Sequence, residues 1–125
     1  MNDLIKRLEE ATEWSRELDA DIYEAMGNTV FRAYGVMPVR DKDLGPIPAY
    51  TFSLDTAVTL VPDSFDWTIR NLSNKLFLAA CADPRDDGNP WITPAVKPTP
   101  ALALCIAALR ARLVMENGGL DSTPD

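Results

Sequence analysis

The sequence predicts a single α+β domain: a small, mainly antiparallel sheet with helices packed on it and a buried C-terminal helix. Residues 99–112 begin with a helix-starting Thr-Pro pair and continue with nine apolar residues from Ala101 to Leu109. A helix of that composition is expected to be buried on nearly all sides. Residues 65–82 have the pattern of a β-hairpin, and helical patterns precede, separate and follow the strands, an order typical of α+β folds.

Two helical patterns open the chain. In residues 3–12 apolar residues recur every three or four positions, and Asp3 is the expected N-cap. A second helix is expected after the N-cap Ser15 and ends at Gly27-Asn28. The apolar stripes are Leu4, Ile5, Leu8 and Ala11 in the first helix, and Leu18, Ile22, Tyr23 and Met26 in the second.

The middle of the chain alternates short elements with a long loop. Residues 29–34 (TVFRAY) are rich in β-branched and aromatic types and predict a short strand. Residues 35–48 contain three prolines and a charged run, which indicates a surface loop. Ser53 is the expected N-cap of a third helix that ends at Pro62.

The predicted hairpin comes next. Residues 65–70 (FDWTIR) alternate apolar and polar side chains, residues 71–74 form the turn, and residues 75–82 form a more buried strand, with Trp67 expected in the core. Residues 83–98 read as a second long loop.

The closing helix is expected to run from Thr99 to about Glu116, with Asn117-Gly118-Gly119 as its stop and residues 117–125 as a frayed tail. It is too apolar to be covered on one side only. We therefore expect it between the sheet and the N-terminal helices, or in a subunit interface.

Composition narrows the function classes. The 125 residues carry a net charge of −7, and the twelve Lys and Arg residues are scattered, which argues against unspecific nucleic-acid binding. There is no histidine, so the commonest general base and zinc ligand are missing. Phosphate-loop, nucleophile-elbow and paired-cysteine motifs are absent from the sequence. We expect a non-enzymatic protein with no catalytic residue, metal or cofactor.

The cysteines and the N-terminus indicate a cellular location. Cys81 and Cys105 lie in apolar runs and are expected to be buried, reduced thiols. The N-terminal residues MNDLIKR are charged and amphipathic, so no signal peptide is expected, and no apolar run is long enough to span a bilayer. These features predict a cytoplasmic protein without a membrane partner.

Six residues are candidates for ligand binding. Trp91 stands in a proline-flanked loop, where a large ring either anchors the loop or faces a ligand, and Arg70 ends the first hairpin strand. Arg16 is available to an anion or forms an exposed pair with Asp19, and the pair is favoured. The remaining three, Tyr50, Thr51 and Ser53, lead into a helix N-terminus, which suits anions, although any capped helix has this appearance.

An acidic cluster lies in the second loop. It consists of Asp83, Asp86, Asp87 and Asn89. The spacing does not match a calcium-binding loop, which needs alternating oxygen ligands and a distal Glu. The cluster is therefore interpreted as an acidic, solvated turn.

Several segments, in this order, resemble the phage ABA sandwich domain family of short phage and prophage proteins. They are residues 4–11 (LIKRLEEA), 15–19 (SRELD), 50–57 (YTFSLDTA), 60–62 (LVP), Trp67 and 99–112, with 53–62 (SLDTAVTLVP) and 99–112 as the anchors. The resemblance covers most of the chain. It implies an α-β-α layered fold and a phage or prophage origin, and it implies no particular activity.

The leading functional hypothesis is a phage accessory protein that acts by binding. Its partner is either a small anionic ligand, such as a nucleotide signal of bacterial immunity, or a host defence protein. The alternative is a virion structural or assembly protein, whose self-association surface the closing helix supplies, so a homo-oligomer is left open. A small enzyme using Asp, Glu, Lys or Cys ranks third.

Overall fold

A computed structural model describes residues 1–33, 35–73 and 75–121. Its elements, in chain order, are α1 (Asn2–Glu10), α2 (Arg16–Ala25), β1 (Val30–Phe31), β2 (Val39–Arg40), α3 (Leu54–Val58), β3 (Asp66–Leu72), β4 (Leu76–Ala82), β5 (Ala95–Lys97) and α4 (Pro100–Asp121). The fold is mixed α+β, as the sequence predicts, and its strands pair antiparallel.

The larger sheet has the order β3-β4-β5. The predicted hairpin is confirmed, with Asp66 opposite Ala82 at one end and Leu72 opposite Leu76 at the other. Asn71 and Leu72, predicted in the turn, belong to β3, and Asn74 lies outside the described residues. β5 lies inside the segment predicted as a loop, because three residues between prolines carry too short a pattern to indicate a strand.

The smaller sheet pairs β1 with β2. Of the strand predicted over residues 29–34, Val30 and Phe31 are confirmed, residues 29, 32 and 33 lie outside β1, and Tyr34 is not among the described residues. β2 falls within the predicted loop 35–48. Two further backbone hydrogen bonds flank this two-residue pairing and support it. Arg40 N donates to Gly45 O at 2.9 Å, and Asp41 N donates to Thr29 O at 3.1 Å.

Helix α4 forms the centre of the core. It packs on β4 and β5 of the sheet and also on α1 and α3. The prediction that it lies between the sheet and the N-terminal helices is therefore confirmed for α1. Its fully buried large side chains are Leu102, Leu104, Ile106 and Leu109. Each buried side chain of this size contributes about 1.5–3 kcal/mol to folding.

Side-chain caps begin three of the helices. Ser15 Oγ accepts from Leu18 N at 3.2 Å, and Ser53 Oγ accepts from Thr56 N at 3.3 Å. Thr99 Oγ1 accepts from Leu102 N at 3.1 Å in the same way. These three predicted caps are confirmed. Asp3 is not a cap, because α1 begins at Asn2 with Met1 in the N-cap position, and Asp3 lies in its first turn.

Two helix ends differ from the prediction. α3 stops at Val58, before Pro62, and a turn covers the remaining residues. α4 does not stop at Asn117-Gly118-Gly119 but continues to Asp121. Extending a helix that is already wound adds one hydrogen bond per residue without a new nucleation cost, which offsets the weak propensity of Asn and Gly. Of the predicted frayed tail, residues 122–125 lie outside the described residues.

The prediction that Trp67 lies in the core is wrong, because its side chain is 41% exposed. Trp67 pairs with the buried Cys81 and so points to the same face of the sheet as Cys81. It stands on the edge strand β3, however, whereas α4 packs on β4 and β5. The helix that buries Cys81 therefore leaves the outer part of the Trp67 ring in solvent.

Candidate functional site

A buried carboxylate connects the start of α2 with the segment that leads into α3. The side chain of Asp19 is fully buried. Its Oδ1 accepts from the backbone N–H of Thr51 and from the Thr51 hydroxyl, each at 2.7 Å. Thr51 Oγ1 in turn accepts from Ser15 N at 3.0 Å. These bonds fix Thr51 against the N-cap and the first turn of α2.

Arg16 completes this network. Its Nη1 donates to Asp19 Oδ2 at 2.9 Å, and its Nη2 donates to the backbone carbonyl of Ile47 at 2.6 Å. The predicted pair of Arg16 with Asp19 is present, but it is not exposed, since the carboxylate is inaccessible and the Arg16 side chain is 21% exposed. The guanidinium is thus held on two sides before any ligand arrives.

Opposing effects act on the Asp19 carboxyl. Burial raises the pKa of Asp19 above its ordinary value of 3.8, while the hydrogen bonds from Thr51 and the charge of Arg16 pull that pKa down. Burial is the largest of these effects. The carboxylate is therefore costly to keep in the fold unless its donors are all in place.

An aromatic cleft lies beside this network. It has a volume of about 260 Å³ and is lined by Trp14, Arg16, Ala49 and Phe52. The rings of Trp14 and Phe52 meet edge to face, with centroids 5.6 Å apart and planes at 73°. The two side chains are nevertheless 49% and 67% exposed. The residues in this cleft therefore present a largely apolar wall with one cation at its side.

Tyr50, Thr51 and Ser53 serve the fold, and none of them lines the cleft. Tyr50 is buried, burial raises the pKa of its hydroxyl, and its carbonyl accepts from Cys105 Sγ at 3.1 Å. Thr51 is buried on Asp19, and the Ser53 hydroxyl caps α3. The sequence pattern suggested groups that are free to bind a ligand. In the structure these residues are instead buried or bonded within the fold.

Arg70 and Trp91 lie on the face of the sheet opposite to that of Trp67. Arg70 pairs with Leu78, and Trp91 forms an isolated bridge with Ala82. Both are exposed, and directly opposed residues share a face. Four residues along β4 and two strands across separate them by roughly 17 Å, from the usual strand spacings. Neither of them lines the cleft that contains Arg16.

The acidic loop bonds to itself. Asp83 accepts from Arg85 N and Arg85 Nε, both at 2.9 Å, and its pKa is lowered by the Arg85 side chain. Asp86 Oδ1 accepts from Gly88 N at 3.0 Å and Asn89 N at 3.1 Å. Within the described ranges, no group of three or more His, Cys, Asp or Glu side chains is placed to hold a metal ion.

Two other shallow clefts are weaker candidates. One, of about 340 Å³, is lined by Ile92, Thr93, Arg110, Leu113 and Val114. It is lined by no aromatic side chain. Its cation, Arg110, is held by Glu9 and by the carbonyls of Thr93 and Pro94, much as Arg16 is held in the first cleft. The second, of about 250 Å³, surrounds the end of α2 and contains the charged pair of neighbours Asp41 and Lys42.

The sequence pointed to Arg16 but not to the buried role of Asp19 or to the aromatic pair of the cleft. Asp19 could have been found, because it stands three positions before Ile22 and four before Tyr23, and so on the apolar stripe of α2. Trp14 and Phe52 could not, since 38 positions separate them and only folding brings the rings together.

Comparisons with protein-family models, curated proteins and solved structures gave no match. The resemblance to the phage ABA sandwich domain family therefore stays a prediction from sequence. Among the residues whose structure is described, no helix combines the length and the apolar character needed to cross a membrane.

Proposed function

We propose that this protein is a non-enzymatic binding protein whose aromatic cleft takes an apolar or aromatic side chain of a partner protein. The observation that carries this proposal is the exposed Trp14–Phe52 pair beside an Arg16 that the fold already holds. Trp and Arg are among the residues that dominate the energetics of protein interfaces.

The fixed position of Arg16 in the unbound protein also supports a binding role for the cleft. The guanidinium of Arg16 is fixed by Asp19 and by the carbonyl of Ile47, so a partner does not have to order it. Binding costs less when the contacting side chains are already immobile. The N–H groups of Arg16 not used by these two bonds are available to a polar group next to the partner's anchor.

Size and charge favour a protein partner over a small anion such as a nucleotide. The cleft of about 260 Å³ lies below the range of about 300–1,000 Å³ that is common for small-molecule pockets. The charge of Arg16 is also offset by a carboxylate at 2.9 Å, which weakens its pull on a phosphate. A single side chain fits both constraints better than a nucleotide does.

The resemblance to phage proteins supplies a biological context for the proposal. A small binding protein from a phage or prophage would act in the bacterial cytoplasm by blocking a host protein, for instance one that serves in defence. Self-assembly into a virion component is the competing function, and it makes different demands on the surface, namely repeated contacts between copies of this chain.

Site-specific photocrosslinking tests the proposal. The photoreactive residue p-benzoylphenylalanine replaces Phe52 in one variant and Phe31 in a matched control, since Phe31 is also an exposed aromatic but lies in β1. Irradiation in bacterial cells is expected to give a discrete adduct from position 52 only. The adduct should weaken at least tenfold when Trp14→Ala is added. Equal adducts from both positions, or none from either, would overturn the proposal.

A second measurement distinguishes the partner-protein hypothesis from the small-ligand hypothesis. Adenosine monophosphate and a cyclic dinucleotide are titrated while the indole N–H signal of Trp14 is followed by NMR, with the signals of Trp67 and Trp91 as internal controls. No selective shift at millimolar nucleotide is expected. A saturating shift confined to Trp14, without any protein adduct, would replace the partner-protein hypothesis by nucleotide capture.

A further inference from the structure

β3 is an edge strand with an open side. It pairs with β4 along its whole length, from Asp66 opposite Ala82 to Leu72 opposite Leu76, without a bulge. Within residues 1–33, 35–73 and 75–121, no other strand pairs with it. An edge strand presents a row of free backbone N–H and C=O groups, and natural proteins usually interrupt such a row with proline, bulges or charged side chains, lysine above all. The seven residues of β3 (DWTIRNL) contain no proline, bulge or lysine, and their two charges, Asp66 and Arg70, are of opposite sign.

The side chains of this edge divide into two faces. Asp66, Thr68 and Arg70 alternate with Trp67 and Ile69. Trp67 is 41% exposed and Ile69 is half-buried. Asp66 and Arg70 are both exposed, and neither forms a salt bridge in the part of the chain that the structure describes. The edge therefore combines uncovered apolar surface with one unpaired charge of each sign.

We propose that β3 pairs antiparallel with β3 of a second copy of this chain, with the two-fold axis at Thr68, so that two three-stranded sheets join into one of six strands. In an antiparallel ladder, two opposed residues both point their backbone groups towards the partner or both away from it. Two identical strands can satisfy this rule only when the axis passes through a residue.

Among the registers whose axis passes through a residue, the charges of Asp66 and Arg70 favour one. With the axis at Thr68, Asp66 faces the partner's Arg70 on both sides of the axis, and Trp67 faces the partner's Ile69. With the axis at Arg70, the two guanidinium groups oppose each other. With the axis at Ile69, Asp66 faces the partner's Leu72. Opposite charges and aromatic-to-β-branched pairs stabilise cross-strand contacts, whereas like charges directly opposed destabilise them.

The proposed interface is closed, because both copies use the same edge and no further copy can add to it. This separates the inference from the virion-assembly alternative, which needs open-ended growth. The interface is also separate from the aromatic cleft, since it involves no residue that lines it. The failure of one proposal therefore leaves the other unchanged.

Charge reversal tests the register. Asp66→Arg and Arg70→Asp are made singly and together, and sedimentation velocity measures association from 1 to 500 µM. The unmodified protein is expected to dimerise, each single variant to dimerise at least tenfold more weakly, and the double variant to regain most of the affinity. Circular dichroism confirms that each variant is folded. The proposal would be overturned by a protein that stays monomeric throughout this range, or by a dimer whose affinity neither charge reversal changes.

Cysteine crosslinking tests the position of the two-fold axis independently. Thr68→Cys places two thiols directly opposite each other at the axis, within reach of a disulfide after a small adjustment. Ile69→Cys, one position along, is the matched control. The native Cys81 and Cys105 are buried and do not compete. Mild oxidation is expected to link Thr68→Cys alone. A link through Ile69→Cys alone, or through neither, would refute the Thr68 axis, and a larger ladder of products would point to open-ended assembly.

Discussion

Thr51 donates both its backbone N–H and its hydroxyl to one oxygen of Asp19, each at 2.7 Å, across 32 positions of the chain. The second oxygen of Asp19 accepts from Arg16. This bonding joins the first turn of α2 to the residues that carry Phe52. The shape of the aromatic cleft therefore depends on a buried acid that does not itself line it.

Replacing Asp19 should destabilise the protein strongly. Asp19→Ala leaves two donors of Thr51 and one of Arg16 without their acceptor, and we expect a loss of about 3 kcal/mol in the free energy of unfolding. Thr51→Val keeps the side-chain shape but removes the hydroxyl that donates to Asp19 and accepts from Ser15 N, with an expected loss of about 1.5 kcal/mol. Urea unfolding followed by circular dichroism measures both values.

Asp63→Ala is the matched control, because Asp63 is an exposed aspartate on the short connection between α3 and β3. It should change the free energy of unfolding by less than about 0.5 kcal/mol. If Asp19→Ala were as mild as this control, Asp19 would not be the residue that holds the two segments together.

Phe52→Ala should leave stability nearly unchanged, despite the loss of a large side chain. Phe52 is 67% exposed, so little apolar surface returns to water when the ring is removed. We expect a change within about 0.5 kcal/mol by urea unfolding. A loss of more than 2 kcal/mol would mean that Phe52 belongs to the core and not to a binding surface.

The stability of the protein should fall in alkaline solution because of its two thiols. Burial raises the pKa of Cys81 from 9.0 to about 12, and burial also raises the pKa of Cys105. From pH 9 upwards the unfolded chain releases thiol protons that the folded chain keeps. The thiols' contribution is thus fully present below pH 9. It is lost by about 1.4 kcal/mol per pH unit for each thiol as the pH rises towards the folded pKa.

A variant with Cys81→Ala and Cys105→Ala provides the comparison. Its free energy of unfolding should decline less steeply between pH 9 and 10.5, whatever its value at neutral pH. Lys97, whose pKa is lowered by burial, acts in the opposite direction but is the same in both proteins. Parallel pH profiles would contradict the assignment of the alkaline loss to the buried thiols.

Lys75→Gly should stabilise the hairpin turn. Lys75 has a φ of +59°, in the left-handed region where a side chain costs roughly 1 kcal/mol and glycine does not. We expect a gain of about 0.5–1 kcal/mol and a melting temperature higher by a few degrees. Lys42→Gly, at a lysine with ordinary backbone geometry, should give no gain. A lower melting temperature for Lys75→Gly would show that its side chain makes a stabilising contact.

Elements whose signals are local follow directly from the order of the amino acids. Ser15, Ser53 and Thr99 cap their helices as predicted, because an N-cap bond spans only three residues. The hairpin and the buried α4 follow from period and composition in the same way. Each of these features is decided within one stretch of chain, so the residues that specify it lie next to one another.

Tertiary structure alone decided the rest. Trp67 is exposed because α4 reaches β4 and β5 but not the edge, and β5 forms because β4 offers it a partner. The cleft exists because Asp19 and Thr51 bring Phe52 to Trp14. The contacts that place these residues join distant parts of the chain, and their free energy appears only after the chain has closed.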